Sequence, residues 1–524
     1  MQKNAMSTQQ LDCQAAKKLQ ELILEEKVKG TPDIEIGKKY GVNFKYIEKL
    51  VTKSQGINIS NLNHFKKIKT LQPKDFKEEQ TTVWSFKQRG TWATHSGEYR
   101  GNWSPYIPRN VILKYSKPGE LVLDYFCGAG TTAVEAKLLG RKCTALDINQ
   151  KAIELARENL DFKVSSPGLP FLGKNHNPQI YEPKLLVGDA RNLSFLPDDS
   201  VDLICAHPPY ANILQYTDSK DGDLSFLDMD DFLKETSKVA HESFRVLKPG
   251  RQCAILIGDT RRKKNVIPLG FKLIDVYLRA GFKLKELIIK RQHNCKTTGF
   301  WYNNSIKYNF LLLAHEYLPI FEKPELSDTL QVNETIAAYG TITSTLVEPE
   351  LKRKLDQLET TTVWVLPEID FEKQLNKNVI ERYSDDSRYS VIFLNLISKG
   401  KTGFEISKSQ EGKELLFIKS PFLNNNSPHS QIELYLSKIK EIINQNLSET
   451  TDSKFIVIQT QDVRINGSIE PMAKRVVDLL KIDSLQLKEI ILVTQENQKI
   501  KNQSSGSCLK INHQYLLVYE IKRC

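Results

Sequence analysis

Asp124, Gly128, Gly130, Asp147 and Asp189, followed by His207-Pro208-Pro209-Tyr210, are the residues of this 524-residue chain whose types and spacing could do chemistry. Asp147 follows Gly128 by nineteen residues. At that interval an acidic side chain at a strand end can hold both hydroxyls of a ribose. Gly128 and Gly130 stand where a backbone turning sharply against a ligand needs residues without a side chain. Asp189, in Gly188-Asp189-Ala190-Arg191, could face the same crevice and accept a hydrogen bond there. Pro208 and Pro209 stiffen their loop and orient the carbonyl of Pro208.

The elements that must position these residues are legible around them. Leu121-Val122-Leu123 is a short apolar run ending at Asp124, the pattern of a buried parallel strand. Thr131 to Leu139 has helical spacing, with Gly140 as its stop. Cys143 to Leu146 is a second strand, Lys151 to Leu160 a helix, and Leu185 to Val187 a third strand. Val201 to Ala206 is a strand that runs into His207. Strand, glycine turn, helix and acidic strand end together predict a nucleoside site on a doubly wound α/β sheet. Thr131-Thr132 occupies the region of the third glycine of a dinucleotide fingerprint, so the turn looks less like a dinucleotide site.

Phe126-Cys127-Gly128-Ala129-Gly130-Thr131 resembles the S-adenosylmethionine loop of methyltransferases. His207-Pro208-Pro209-Tyr210 resembles the Asp/Asn/Ser-Pro-Pro-Tyr/Phe motif of DNA methyltransferases that modify exocyclic amines. The likeness covers roughly residues 85–320, with the cofactor loop before the proline loop, as in one permuted group of that family. It implies a Rossmann-like methyltransferase sheet with S-adenosylmethionine held by Asp124, Phe126, Cys127, Gly128, Gly130, Thr131, Asp147 and Asp189. It implies catalysis by His207, Pro208, Pro209 and Tyr210 on N6 of adenine or N4 of cytosine. There the first side chain and the Pro208 carbonyl accept the amine hydrogens, Tyr210 stacks on a flipped base, and transfer is direct, without a covalent enzyme intermediate. His207 departs from the family, which has Asp, Asn or Ser at that place; a neutral imidazole retains one acceptor nitrogen and a protonated one has none. Two other readings are an amine methyltransferase acting on RNA and an impaired DNA-binding protein that keeps the cofactor.

Upstream, Leu11 to Glu26 reads as an amphipathic helix with Leu19, Leu22 and Ile23 sharing a face, and two short helices around Gly41-Val42 resemble a helix-turn-helix with Lys45, Lys49 and Lys53 directed at DNA. The stretch Trp84 to Arg109, including Arg100, is dense in aromatics, cations and prolines and reads as irregular: either a base-stacking surface or a buried clasp. Downstream, Lys248-Pro249-Gly250 reads as a turn, Gly258 to Lys264 as a basic loop with Arg261 toward DNA, His293 to Tyr302 as a polar and aromatic loop, and Leu284–Lys290 with Phe310–Leu313 as closing strands.

Segments of the C-terminal region echo the catalytic one. Ile255 to Arg261 returns as Val457 to Arg464, Leu284 to Gln292 as Leu487 to Gln495, and His315-Glu316-Tyr317-Leu318 as His513-Gln514-Tyr515-Leu516. The expected domains are a helical module over 1–75, a catalytic domain over 81–324 and a degenerate methyltransferase-like domain over 325–524. That duplication suggests a monomer with an internal pseudo-dimer.

The net charge of +11 favours a polyanion such as double-stranded DNA. The eight cysteines form no CxxC pair or Cys/His metal spacing. With no apolar signal core and no run of eighteen apolar residues, the expectation is a cytoplasmic protein without metal or membrane, with a cognate restriction enzyme as a candidate partner.

Overall fold

The computed structural model describes residues 18–27, 31, 33–42, 46–47, 50, 68–97, 99, 101–163, 179–210, 222–262, 264–293, 298–325, 355, 358–384, 389–396, 404–410, 414–420, 429–449, 454–496 and 508–522. The chain divides into two compact units. One comprises Met1–Lys74, Arg89–Phe195 and Ala206–Glu242; the other comprises Asp75–Gln88, Leu196–Cys205 and Ser243–Cys524. Among the described residues no helix is long and apolar enough to cross a membrane.

In the first unit, a helix over 18–27 and the helix Asp33–Tyr40 close a small core of Ile23, Ile36, Ile47 and Leu50, with Leu19 and Leu24 against it. Leu22, expected on that face, is instead exposed, while Leu24 packs against the core. Gly41 ends the second helix at φ 66°, and Val42 returns its N–H to the Gly37 carbonyl at 3.2 Å.

The strands Leu121–Asp124, Lys142–Asp147 and Lys184–Val187 pair in that order, all parallel. The helix Thr131–Leu138 between the first two is buried along its whole length, Glu135 and Lys137 included. The helix Gln150–Leu160 is amphipathic and buries Ala152, Ile153, Leu155, Ala156 and Leu160. Asn149 caps it, accepting from the Lys151 N–H at 3.0 Å. Gly130 lies at φ 82°, and a Cβ there would meet the Ala156 Cβ at 3.1 Å, so this glycine sets the approach of the two helices.

The segment before the helix Tyr106–Tyr115 is a clasp. Trp92 and Trp103 are buried. The Glu135 carboxylate accepts from Trp92 Nε1 at 2.6 Å, His95 Nε2 at 2.7 Å and Arg109 Nη1 at 2.8 Å. Burial alone would raise the Glu135 pKa, but the Arg109 charge and the His95 bond hold it below the usual carboxylate range. Arg109 also donates to Gln72.

In the second unit, Val83–Ser85 pairs parallel with Lys283–Arg291, which pairs antiparallel with His315–Glu322. The latter pairs with Leu247–Ile255 and Ile257–Gly258. Four expectations are corrected here. Val83–Ser85 is a strand, in a region read as irregular. Lys248 to Gly250 lies inside the strand Leu247–Ile255 rather than in a turn. The closing strand is His315–Glu322, not Phe310–Leu313. Trp301 and Tyr302 sit on the helix Thr298–Tyr308, not in a loop.

A seven-stranded sheet follows, in the order Val363–Leu366, Leu485–Gln495, His513–Ile521, Phe455–Thr460, Leu415–Lys419, Tyr389–Leu396, Phe404–Gln410. Its first four strands repeat the order and directions of Val83–Ser85, Lys283–Arg291, His315–Glu322 and Leu247–Ile255. The echo extends to detail. Trp84 Nε1 donates to the Thr81 carbonyl at 3.0 Å and Trp364 Nε1 to the Thr361 carbonyl at 2.9 Å. Register breaks at Leu284/Glu286 in one sheet and at Leu487/Glu489 in the other.

Candidate active site

The strand Val201–Ala206 is buried at all six residues and delivers His207 at its end. In the first unit, His207 and Pro209 line a cleft together with Phe126, Cys127 and Gly128 of the glycine turn, and with Asp147 and Asp189. The cofactor turn and the proline loop therefore meet at one site.

Backbone geometry explains the turn. Gly128 is at φ 49°, and a Cβ there would meet Tyr99 Cε1 at 3.0 Å. Its N–H donates to Asp147 Oδ2 at 3.0 Å, while Asn149 N–H donates to Asp147 Oδ1 at 2.9 Å. Each carboxylate oxygen thus has one backbone donor and keeps a lone pair for a ligand hydroxyl. Burial pushes the Asp147 carboxyl up to about 6, against those two backbone donors and with the nearby Asp223 adding to the rise. Asp124 lies behind the turn, accepts from the Phe126 N–H at 3.1 Å and is pushed by burial up to about 7. Burial also raises the Cys127 thiol, with Asp147 and Asp124 reinforcing the rise.

Asp189 reaches the cleft already paired. Arg191 Nη2 lies 2.5 Å from its Oδ2, and Arg191 Nη1 lies 2.6 Å from Glu235. Gly130 and Thr131 do not line the cleft; they start the helix behind it. Pro208 is buried and, unlike His207 and Pro209, does not line the cleft. The His207 ring stacks on Trp103, with centroids 5.6 Å apart and planes at 19°. On its other side Nε2 lies 3.1 Å from the Tyr210 hydroxyl.

Several lining residues were not singled out from the sequence: Tyr99, Asn102, Trp103, Ile148, Asp223 and Leu224. The aromatic density of the 84–109 stretch was the available signal for Tyr99 and Trp103. Asp223 had none, because its Asp-Leu-Ser context reads as a local cap, and its side chain does accept from the Ser225 N–H at 2.9 Å.

Of the residues assigned to DNA, Lys45, Lys49, Lys53 and Arg100 lie outside the described residues, as do positions 211–216 beyond Tyr210. Arg261 is placed otherwise than in an open basic loop. It stands on the strand Thr260–Arg262, paired antiparallel with Asn265–Ile267. Its Nη2 is 2.5 Å from the buried Glu489 carboxylate, so its charge is already committed within the chain.

A DNA methylase family of the N6/N4 type matches residues 3–158 and 201–399, more than half of the sequence. The chain belongs to this DNA methylase family. A methyltransferase domain also matches residues 116–267, a span that holds both the glycine turn and the proline loop of the methylase. Its α/β architecture is the one the resemblance predicted.

The tRNA (guanine(10)-N2)-dimethyltransferase of Methanothermobacter thermautotrophicus is 33% identical over 113 residues, covering 21% of this chain and 29% of that protein. Type II methyltransferase M.MthZI of the same organism is 29% identical over 153 residues, covering 26% and 43%. Both alignments thus span less than half of the relative's length. The solved SAM-dependent methyltransferase of Methanosarcina mazei matches 41% of this chain and 97% of its own at 19% identity, with a TM-score of 0.28.

Proposed function

We propose that this chain transfers a methyl group from S-adenosylmethionine to an exocyclic amine of a base flipped out of duplex DNA, at N6 of adenine or N4 of cytosine. The observation that carries the reading is the single cleft lined by both Gly128 and His207. The residues present fit the cofactor. Asp147 offers two half-buried acceptor oxygens to ribose hydroxyls, and the carboxylates of Asp147 and Asp223 suit a cationic ligand. Phe126, Cys127 and Gly128 supply the turn beneath it. When bound, S-adenosylmethionine supplies an electrophilic methyl on its sulfonium.

The remaining chemistry belongs to the chain. An aromatic amine conjugates its lone pair into the ring and is a weak nucleophile. The Pro208 carbonyl and the acceptor nitrogen of neutral His207 bind its hydrogens and draw the nitrogen toward tetrahedral geometry. With Nδ1 protonated, His207 Nε2 accepts from the Tyr210 hydroxyl at 3.1 Å, a place the target amine takes when it arrives. Tyr210, released, stacks on the base. Trp103 keeps the imidazole plane fixed through this exchange. Positioning and electrostatics supply the rate.

In this reading the helices within 1–75 form the DNA-binding module, using Lys45, Lys49 and Lys53. Residues 81–324 are catalytic, residues 325–524 are a degenerate copy, and a cognate restriction enzyme is a natural partner. The tRNA-modifying relative favours a second reading, an RNA amine as acceptor. Incubation with labelled S-adenosylmethionine and equal amounts of duplex DNA and tRNA separates the two. Label in the DNA supports the proposal; label confined to tRNA replaces it with the second reading, and label in neither defeats both.

A further inference from the structure

Within the second unit, a set of polar contacts across the two echoing sheets comes in pairs with the roles exchanged. Arg261 donates to Glu489 at 2.5 Å, to the Lys488 carbonyl at 3.3 Å and to the Leu311 carbonyl at 2.8 Å. Arg464 donates to Glu286 at 2.5 Å, to the Lys285 carbonyl at 2.9 Å and to the Leu509 carbonyl at 3.2 Å. The Leu311 N–H donates to Glu489 Oε1 and the Leu509 N–H to Glu286 Oε1, each at 3.0 Å. Thr82 Oγ1 meets His513 Nδ1 and Thr362 Oγ1 meets His315 Nδ1, each at 2.8 Å. Both glutamates are fully buried and stand at the matched register breaks, where a bulge re-aims a side chain.

Reciprocity of this kind, residue i on j and j on i, is the signature of an isologous interface between two copies. Here both copies are in one chain. The N-terminal half carries both members of each pair, Arg261 with Glu286 and Thr82 with His315, so it is self-complementary. We propose that the C-terminal half is a resident mate: it fills the face by which two N-terminal halves would pair, and thereby holds the chain as a monomer. The occupant of that face is the segment Thr361–Ile521 of the same chain. In its absence from the face, the chemistry fits a second copy of this chain.

A charge exchange in the full-length chain tests this by sedimentation. The wild type is expected at the 60.0 kDa of one chain. Arg464→Glu with Glu489→Arg breaks the internal lock but leaves Arg261 and Glu286 intact, so two chains should pair through them and the mass should double with rising concentration. Adding Arg261→Glu and Glu286→Arg restores complementarity within the chain and should return the monomer and the wild-type melting temperature. A dimeric wild type overturns the proposal. So does a double variant that stays monomeric, whatever its melting temperature, or a double variant that aggregates without rescue by the fourfold exchange.

Discussion

Asp147 stands between two demands. Its burial favours the neutral acid, while a ribose diol is best held by the carboxylate. With its pKa raised from 3.8 to about 6, the folded chain binds more protons than the unfolded one between about pH 4 and 6. Stability from this group is therefore highest below that window and falls as pH rises through it. Cofactor affinity runs the other way, weakening as pH drops below about 6. Asp147→Asn should lower S-adenosylmethionine affinity by about 10- to 150-fold, the equivalent of roughly 1.5–3 kcal/mol for a charge-assisted pair, and should flatten the pH dependence. Titration calorimetry from pH 5 to 8 reads both. Tyr210→Ala should abolish transfer while leaving cofactor affinity within about twofold of the wild type; loss of cofactor binding in that variant would count against the assigned role. At this scale the sequence was informative where the local pattern forced a backbone conformation, as at Gly128 with its φ of 49°. It was silent where a distant segment supplied a wall of the cleft, as with Asn102 and Asp223.

The helix Thr131–Leu138 carries the glycine turn at its start, and its buried Glu135 carboxylate ties it to Trp92, His95 and Arg109. Removing the carboxylate leaves the Arg109 guanidinium buried without that partner. Glu135→Ala should cost about 3–5 kcal/mol and lower cofactor affinity secondarily; chemical denaturation followed by fluorescence of Trp92 would measure the first. Strands and helices with clear periodicity, such as Gln150–Leu160, were legible within a residue or two. Elements held by partners far along the chain were not. Val83–Ser85 becomes a strand only because Lys283–Arg291 pairs with it, and Lys248 to Gly250 continues a strand despite its turn-forming residues. The clasp and base-stacking readings of the 84–109 stretch could not be separated until Glu135 was seen to hold Trp92 and His95 while Trp103 stacked on His207.

Two properties belong to the whole chain. One is the duplication, visible in the sequence as matched segments about 200 residues apart and in the structure as exchanged Arg–Glu pairs. Those pairs were hidden in the sequence because Arg261 looked like a solvent-facing basic residue until its partner, Glu489, was placed. The other is the net charge of +11. If duplex DNA is the substrate, binding should weaken steeply with salt, on the order of 10³-fold between 50 and 200 mM for six phosphate contacts. Fluorescence anisotropy of a labelled duplex across that range checks it; a flat response would argue against a polyanionic substrate.

The most direct measurement is nucleoside mass spectrometry of duplex DNA incubated with the protein and S-adenosylmethionine bearing a deuterated methyl. The account predicts labelled N6-methyladenine or N4-methylcytosine with the wild type and neither with Pro208→Ala. Labelled 5-methylcytosine, or equal labelling by the Pro208→Ala variant, would contradict it.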